Sequence, residues 1–221
     1  IDDYRLPLDQ QEWVNCWDDF VQKLLEVRNG APLPGFPLWA DEFRTRPRIL
    51  RETPPWKADF LRKNSAFYLE YRDTIDSWRK RWPNFTKFPS SRRKLEWQAQ
   101  DTGSLWDCVL QFRPSGIRAK KPTYLPALVA ITQTSIYGPR RRRITPIEAK
   151  RLQGLPDWFS FGDQRDSESY KQLGNGVSVG AAYFVFRQSL LASIRDVANR
   201  SPKLAKAIKE SSEKPILSKH S

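Results

Sequence analysis

Two stretches in the second half of the chain constrain it most. The first is Arg143-Ile144-Thr145-Pro146-Ile147-Glu148-Ala149-Lys150-Arg151-Leu152-Gln153-Gly154-Leu155-Pro156. It reads as a short helix with both ends specified. The Thr145 hydroxyl can accept from a first-turn N–H, Pro146 sits at N1 where a missing N–H costs nothing, and Glu148 at N3 can reach back to the Thr145 N–H. Gly154 can take the left-handed position past the helix end, and Pro156 stops the helix. Ile147, Ala149, Leu152 and Leu155 supply a buried side. The second stretch is Tyr170-Lys171-Gln172-Leu173-Gly174-Asn175-Gly176-Val177-Ser178-Val179. Gly174-Asn175-Gly176 reads as a tight turn whose glycines let backbone approach a ligand closely. A long apolar helix over 177–199 is expected after it.

In order, density and separation these stretches resemble the last two conserved motifs of bacterial DNA (cytosine-5) methyltransferases. That family shows R-x-[LI]-T-P-[RI]-E-x-x-R-[LV]-Q-G-[FL]-P followed by Y-[KR]-Q-x-G-N-[SG]-V. The chain departs from the usual pattern at Ile147, where an arginine is common, and at Gly176, where serine is common. Ala127-Leu128 stands where the family usually has a Thr-Leu pair.

Charge points to the same kind of partner. The 221 residues carry a net charge of +13, and nucleic acid is the default partner for such a balance. Residues 1–45 hold nine acidic residues against four basic ones, a net of −5, so the remainder carries +18. A membrane surface is disfavoured, because no apolar run approaches the roughly 20 residues a span needs. Cys16, Cys108 and His220 are too scattered for a zinc site, and no metal is expected. Both cysteines lie among Trp and apolar residues and read as buried thiols in a reducing compartment. The chain has no Met, so Ile1 is not expected to be the natural start.

Along the chain, 9–28 reads as an amphipathic helix with an acidic capping box at Asp9 and Glu12. Residues 29–56 read as an ordered, proline-interrupted loop. Residues 57–82 read as one helix ended by Pro83. In 84–113 the run Ser90-Ser91-Arg92-Arg93-Lys94 is either a phosphate-following segment or a solvated basic turn before a buried strand or helix. Residues 113–143 read as two basic loops flanking a buried strand over the apolar run 125–131. Arginine forks and Gln amides suit guanine and adenine edges, and lysines suit the backbone. The candidate DNA contacts are Arg113, Arg118, Lys120, Lys121, Gln133, Arg140, Arg141, Arg142 and Arg143.

The resemblance implies more. In the family, the region before these motifs reads DNA, the Gly-Asn turn lines the S-adenosyl-L-methionine pocket, and the last helix packs on the catalytic domain. By that analogy Asn175, Gly176 and Val177 line the cofactor site, while Thr145, Pro146 and Glu148 hold the connection between domains. The family's Pro-Cys nucleophile, Glu-Asn-Val segment, Phe-x-Gly-x-Gly loop and Gln-x-Arg-x-Arg motif do not occur in these residues, so no catalytic residue is assigned. The expected fold is α+β: a helix-rich target recognition domain with a small sheet, plus the C-terminal helices of an incomplete Rossmann-like methyltransferase domain. The expected division is a DNA-reading region over 1–138, the C-terminal motifs over 139–199, and a basic mobile tail over 200–221. The expected function is the DNA-recognising C-terminal part of a cytosine-5 methyltransferase, inactive alone and completed by a missing catalytic half, upstream or on a separate subunit. Double-stranded DNA in the bacterial cytoplasm, at the nucleoid, is the expected partner. A non-catalytic DNA-binding protein or recognition subunit derived from such an enzyme is the alternative. A basic RNA-binding scaffold is a third reading.

Overall fold

The computed structural model of the chain describes residues 2–99, 102–128 and 134–215. It divides into two compact units, Ile1–Pro126 with Gln133–Ile144, and Ala127–Thr132 with Thr145–Ser221.

The first unit is built on a sheet. Helix α1 (Leu8–Val27) buries Val14, Cys16, Trp17, Phe20, Val21 and Leu24 at helical spacing. It starts at Pro7 with no side-chain cap, so Asp9 and Glu12 do not form the expected box. It ends where Asn29 and Gly30 take positive φ, 51° and 78°. After β1 (Leu38–Trp39) come α2 (Pro55–Glu70) and α3 (Arg72–Arg81). The helix expected over 57–82 is thus two, broken at Tyr71 (φ −117°, ψ 30°). Strands β2 (Lys94–Gln98), β3 (Val109–Arg113), β4 (Gly116–Lys120), β5 (Ile136–Tyr137) and β6 (Arg142–Arg143) follow. They form one six-stranded sheet in the order β1-β2-β4-β3-β5-β6, with β2–β4 parallel and the other pairs antiparallel.

One face of this sheet meets the core. Leu95, Leu110, Ile117, Ala119 and Ile136 are buried there with Trp17, Phe20, Trp78 and Phe85 from the helical side. The rings pack edge to face, Trp78–Phe85 at 4.8 Å and Phe20–Trp78 at 4.9 Å. Three buried indole N–H groups find acceptors: Trp17 donates to the Arg92 carbonyl, Trp78 to that of Cys16 and Trp106 to Asn15 Oδ1. Asn64, fully buried in α2, accepts from Trp39 N–H and donates to the Pro37 and Phe60 carbonyls. It thereby ties the proline-rich loop to the helix. Gly138 lets the β5–β6 turn close over the segment before β3, since a Cβ there would lie 2.5 Å from the Cys108 and Trp106 carbonyl oxygens.

The second unit is helical in its described residues: α4 (Pro146–Leu152), α5 (Asp166–Asn175), α6 (Val179–Ala192), α7 (Ile194–Arg200) and α8 (Pro202–Glu210). The long helix expected over 177–199 is interrupted at Ser193. Residues 202–210, expected in the tail, form α8, capped by the Ser201 hydroxyl accepting from Leu204 N–H.

Two expectations are corrected here. The sheet is not a small appendage to a helical domain; its six strands organise the first unit. They are only two to five residues long and three carry polar or charged residues at alternate positions, so hydrophobic runs did not reveal them. The buried strand expected over 125–131 is absent over 125–128, and 129–131 lie outside the described residues. Its place is taken upstream by β4, inside a stretch that reads as a basic loop.

Candidate functional site

The strand register sorts residues onto two faces. Opposite the core, one row across the strands is Gln98, Lys120, Val109, Tyr137 and Arg142. The next row is Glu96, Arg118 and Gln111. Gly116 and Arg113 close the β3–β4 hairpin on the same face. Gly116 has φ 146°, and a Cβ there would lie 2.9 Å from the Lys94 carbonyl oxygen. Three candidate DNA contacts, Arg113, Arg118 and Lys120, are therefore brought together on one polar sheet face.

They are not free. The Glu96 carboxylate lies 2.7 Å from Arg118 Nη2 and 3.5 Å from Arg113 Nη1. Burial alone would raise the Glu96 carboxyl. The Ser115 hydrogen bond and the two arginines outweigh burial, and hold it below the usual carboxylate range. Lys120 lies over the Tyr124 ring, 4.9 Å from its centroid, with its ammonium 3.3 Å from the phenol oxygen. Tyr124 is 61% exposed. Lys121 follows the end of β4 and is half-buried. Gln133 lies outside the described residues.

The four-arginine run divides in two. Arg140 and Arg141 are exposed on the β5–β6 turn, Arg141 with φ 49° and its guanidinium 4.7 Å above the Trp106 ring. Arg142 is buried and donates to the Arg143 carbonyl, and Arg143 donates to Gln10 Oε1. The upstream pair also turns inward. Arg92 lies 4.8 Å from the Phe112 ring and 5.5 Å from Trp13, donates to the Arg113 carbonyl, and has its pKa lowered by burial. Arg93 pairs with Asp41 and donates to the Thr86 and Phe88 carbonyls.

Sequence reasoning missed Gln98, Gln111 and Tyr137 on this face. Gln111 is 7% exposed, and its amide has no side-chain partner among the described residues. The signal was the alternation Lys94-Leu95-Glu96-Trp97-Gln98, which puts polar groups on one face and Leu95 and Trp97 in the core.

In the second unit, α4 carries its capping box: Thr145 N–H donates to Glu148 Oε2 at 2.8 Å, and Glu148 N–H to Thr145 Oγ1 at 3.1 Å. Gly154 takes φ 80°, with Gly154 N–H bonded to Arg151 O and Leu155 N–H to Lys150 O. The buried Lys150 ammonium donates to the Asp157 and Phe159 carbonyls and holds the following loop. The glycine turn differs from expectation. Gly174 and Asn175 finish α5, and Gly176 is extended (φ −83°, ψ 165°), so no left-handed turn is made. The segment is pinned by Gln153. Its side-chain amide donates to the Leu173 carbonyl at 2.5 Å and the Gly176 carbonyl at 3.3 Å, and its backbone carbonyl accepts from Val179 N–H. Asn175, Gly176 and Val177 are exposed on this pinned segment.

Neither cysteine has the character of a nucleophile. Both are fully buried. Burial, with Asp19 and Glu12, pushes the Cys16 thiol far up; burial, with Asp107 and Asp18, pushes Cys108 up to about 12. No cluster of potential metal ligands occurs among the described residues, and no single described helix is long and apolar enough to cross a membrane.

The C-5 cytosine-specific DNA methylase family model matches residues 17–190. The type II methyltransferase M.AluI of Cellulosimicrobium cellulans is 44% identical over 230 aligned positions, covering 84% of this chain and 44% of that protein. M.HgiCI of Herpetosiphon aurantiacus is 60% identical over 40 residues, 18% of this chain and 9% of its own length. M.NgoPII of Neisseria gonorrhoeae is 48% identical over 42 residues, 19% and 12%. The chain thus spans less than half the length of these relatives. No solved structure matches significantly.

These matches correct the motif-based reading. The likeness is not confined to the dense signatures between 113 and 179; it starts at residue 17 and takes in the sheet-bearing unit. The chain is therefore not merely a C-terminal recognition part. The expectation of an inactive piece awaiting a missing catalytic half or subunit does not hold. Nor do the alternatives of a non-catalytic DNA-binding remnant and a recognition subunit. The fold is a mixed α/β methyltransferase-like one over almost the whole chain, not an incomplete Rossmann-like remnant. The error was physical in origin. Only segments fixed by local backbone constraints carry dense motifs, and the rest of a family's fold is encoded in burial patterns that motifs do not sample.

Proposed function

Since this chain belongs to the C-5 cytosine-specific DNA methylase family, we propose that the protein transfers a methyl group from S-adenosyl-L-methionine to C5 of cytosine at a specific site in duplex DNA. The family is one of S-adenosyl-L-methionine-dependent, DNA-modifying methyltransferases, and the relatives named above are type II enzymes of the restriction-modification kind. The observation that carries the reading is the match over residues 17–190, on a chain whose sheet turns a basic, amide-bearing face away from its core.

The chain's own residues take distinct parts in this reading. The exposed Arg140 and Arg141, with the half-buried Lys120, meet phosphates. Arg118 and Arg113, aimed by Glu96, present their remaining N–H groups to acceptors on base edges. Gln111 offers both a donor and an acceptor from a rigid strand. Asn175, Gly176 and Val177 supply one edge of the cofactor site, held in shape by Gln153. When bound, S-adenosyl-L-methionine supplies an electrophilic methyl group. Cys16 and Cys108 take no part, being buried and protonated. The place of action is the bacterial cytoplasm, where the substrate DNA lies.

The test is incorporation of labelled methyl from S-adenosyl-L-methionine into duplex DNA, followed by nucleoside analysis. Label in 5-methylcytosine at one sequence context is the expected result. Label on adenine, or on RNA alone, would overturn the reading.

A further inference from the structure

The segment from Arg44 to Lys63 holds seven basic residues and two acidic ones, Glu52 and Asp59. Two of the cations are neutralised: Arg44 faces Glu42 at 3.4 Å, and Lys63 faces Asp59 at 2.7 Å. Arg46, Arg48, Arg51, Lys57 and Arg62 are exposed and have no carboxylate partner among the described residues. This is the reverse of the basic residues singled out by sequence, most of which are committed to Glu96, to carbonyls or to rings. Arg46, Arg48 and Arg51 stand on one short stretch around Pro47 and before α2, so a single run of chain presents three of these guanidinium groups.

Rings connect this strip to the sheet. Trp56, 62% exposed, lies 6.3 Å from Phe60, which lies 5.6 Å from Trp39. Lys63 lies over Phe60 and Lys94 over Trp39, 5.3 Å from that centroid. Trp39 pairs with Lys94 at the start of β2. A ladder of half-exposed rings and cations therefore runs from the unpaired arginines to the sheet edge within one unit.

We propose that residues 46–63 form a second nucleic-acid contact, which holds the phosphate backbone of duplex DNA outside the segment addressed by the sheet face. The proposal rests on the reading that the protein acts on duplex DNA. The occupant follows from charge: uncompensated guanidinium groups repel one another, and a polyanion relieves that repulsion while releasing its own counterions. Exposed Trp56 and Leu50, 57% exposed, supply apolar contact to the sugars between phosphates.

The test measures duplex affinity as a function of salt for the protein and for the triple variant Arg46→Gln, Arg48→Gln, Arg51→Gln. On a long duplex the slope of log K against log salt should fall in magnitude by about 2 to 3, at roughly 0.9 per phosphate lost. On a duplex trimmed to the target site the slope should not change. An Arg→Lys triple variant should retain the wild-type slope, and unchanged thermal unfolding excludes a folding defect. If the wild type binds duplex with a steep slope and the Gln variant keeps it, the strip proposal is wrong and the proposed function stands. If the Gln variant loses affinity only for single-stranded RNA or an acidic protein, the strip serves that partner and the proposal is likewise overturned. If the wild type shows no salt-dependent duplex binding, both readings fall.

Discussion

The two units hold their shape by different means. The first is a ring-filled core closed by a sheet, in which Trp17, Phe20, Trp78 and Phe85 meet with almost no exposure. The second has few buried apolar side chains, Ala149, Leu173, Ala205 and Ile208 among them, and α6 buries none of its residues. Its order comes from hydrogen bonds between side chain and backbone: the Thr145–Glu148 box, Lys150 on two carbonyls, and Gln153 on Leu173 and Gly176. The difference predicts how each unit answers substitution. A core tolerates exchange of one apolar side chain for another of similar volume. A polar clamp does not, because each donor must meet one acceptor.

The largest effect should come from the first unit. Trp78→Ala removes a ring in contact with Trp17, Phe20 and Phe85, and takes the indole donor from the Cys16 carbonyl. A loss of about 3–5 kcal/mol is expected for such a truncation. Denaturant unfolding monitored by near-ultraviolet circular dichroism would read it. A loss under about 1 kcal/mol would mean that the core is not what holds this unit.

Glu96 tests whether charge also belongs to the first unit's scaffold. Glu96→Gln keeps the shape and removes the charge shared by Arg118 and Arg113. The carboxylate is 11% exposed and the guanidinium groups 25% and 33%, so screening is partial and about 1–2 kcal/mol is expected, not the full cost of a buried pair. The pH dependence has a fixed sign. The folded carboxyl sits below its ordinary value. Its contribution is therefore present above the unfolded pKa and lost as pH falls through the folded one. Wild type and variant should converge in stability on acidification. A difference that is constant with pH would remove Glu96 from the scaffold and return both arginines to the free cations.

The same contrast explains what was legible in advance. Every determinant of α4 lies within about ten residues, so Thr145, Pro146, Glu148 and Gly154 could be assigned from sequence. The fates of the arginines could not. Arg141 lies over Trp106, Arg92 between Trp13 and Phe112, and Arg143 against Gln10. Those contacts depend on which distant segments the sheet brings together, and a run of cations reads the same whether it ends on DNA or on an indole. The sheet face was half legible: alternation in Lys94–Gln98 gives its direction, but only the register places Gln111 beside Arg118. The break at Tyr71 carried no Gly or Pro signal at all. The glycines at 174 and 176 misled, since the first ends a helix and neither has positive φ.

The smallest effect should come from the second unit and is the sharpest test of its design. Thr145→Ala deletes one half of the capping box and leaves the Glu148 N–H without its acceptor. About 1 kcal/mol is expected, typical of a lost N-cap. It should appear as faster hydrogen exchange in the first turn of α4, with the sheet amides of the first unit unchanged. The paired control is Phe184→Ser on α6, where the ring is 58% exposed. If polar clamps and not apolar burial order this unit, that substitution changes folding free energy by no more than about 0.5 kcal/mol, as surface changes do. Should Phe184→Ser cost more than Thr145→Ala, the exposed ring would be carrying packing energy. The second unit would then be held by the same means as the first.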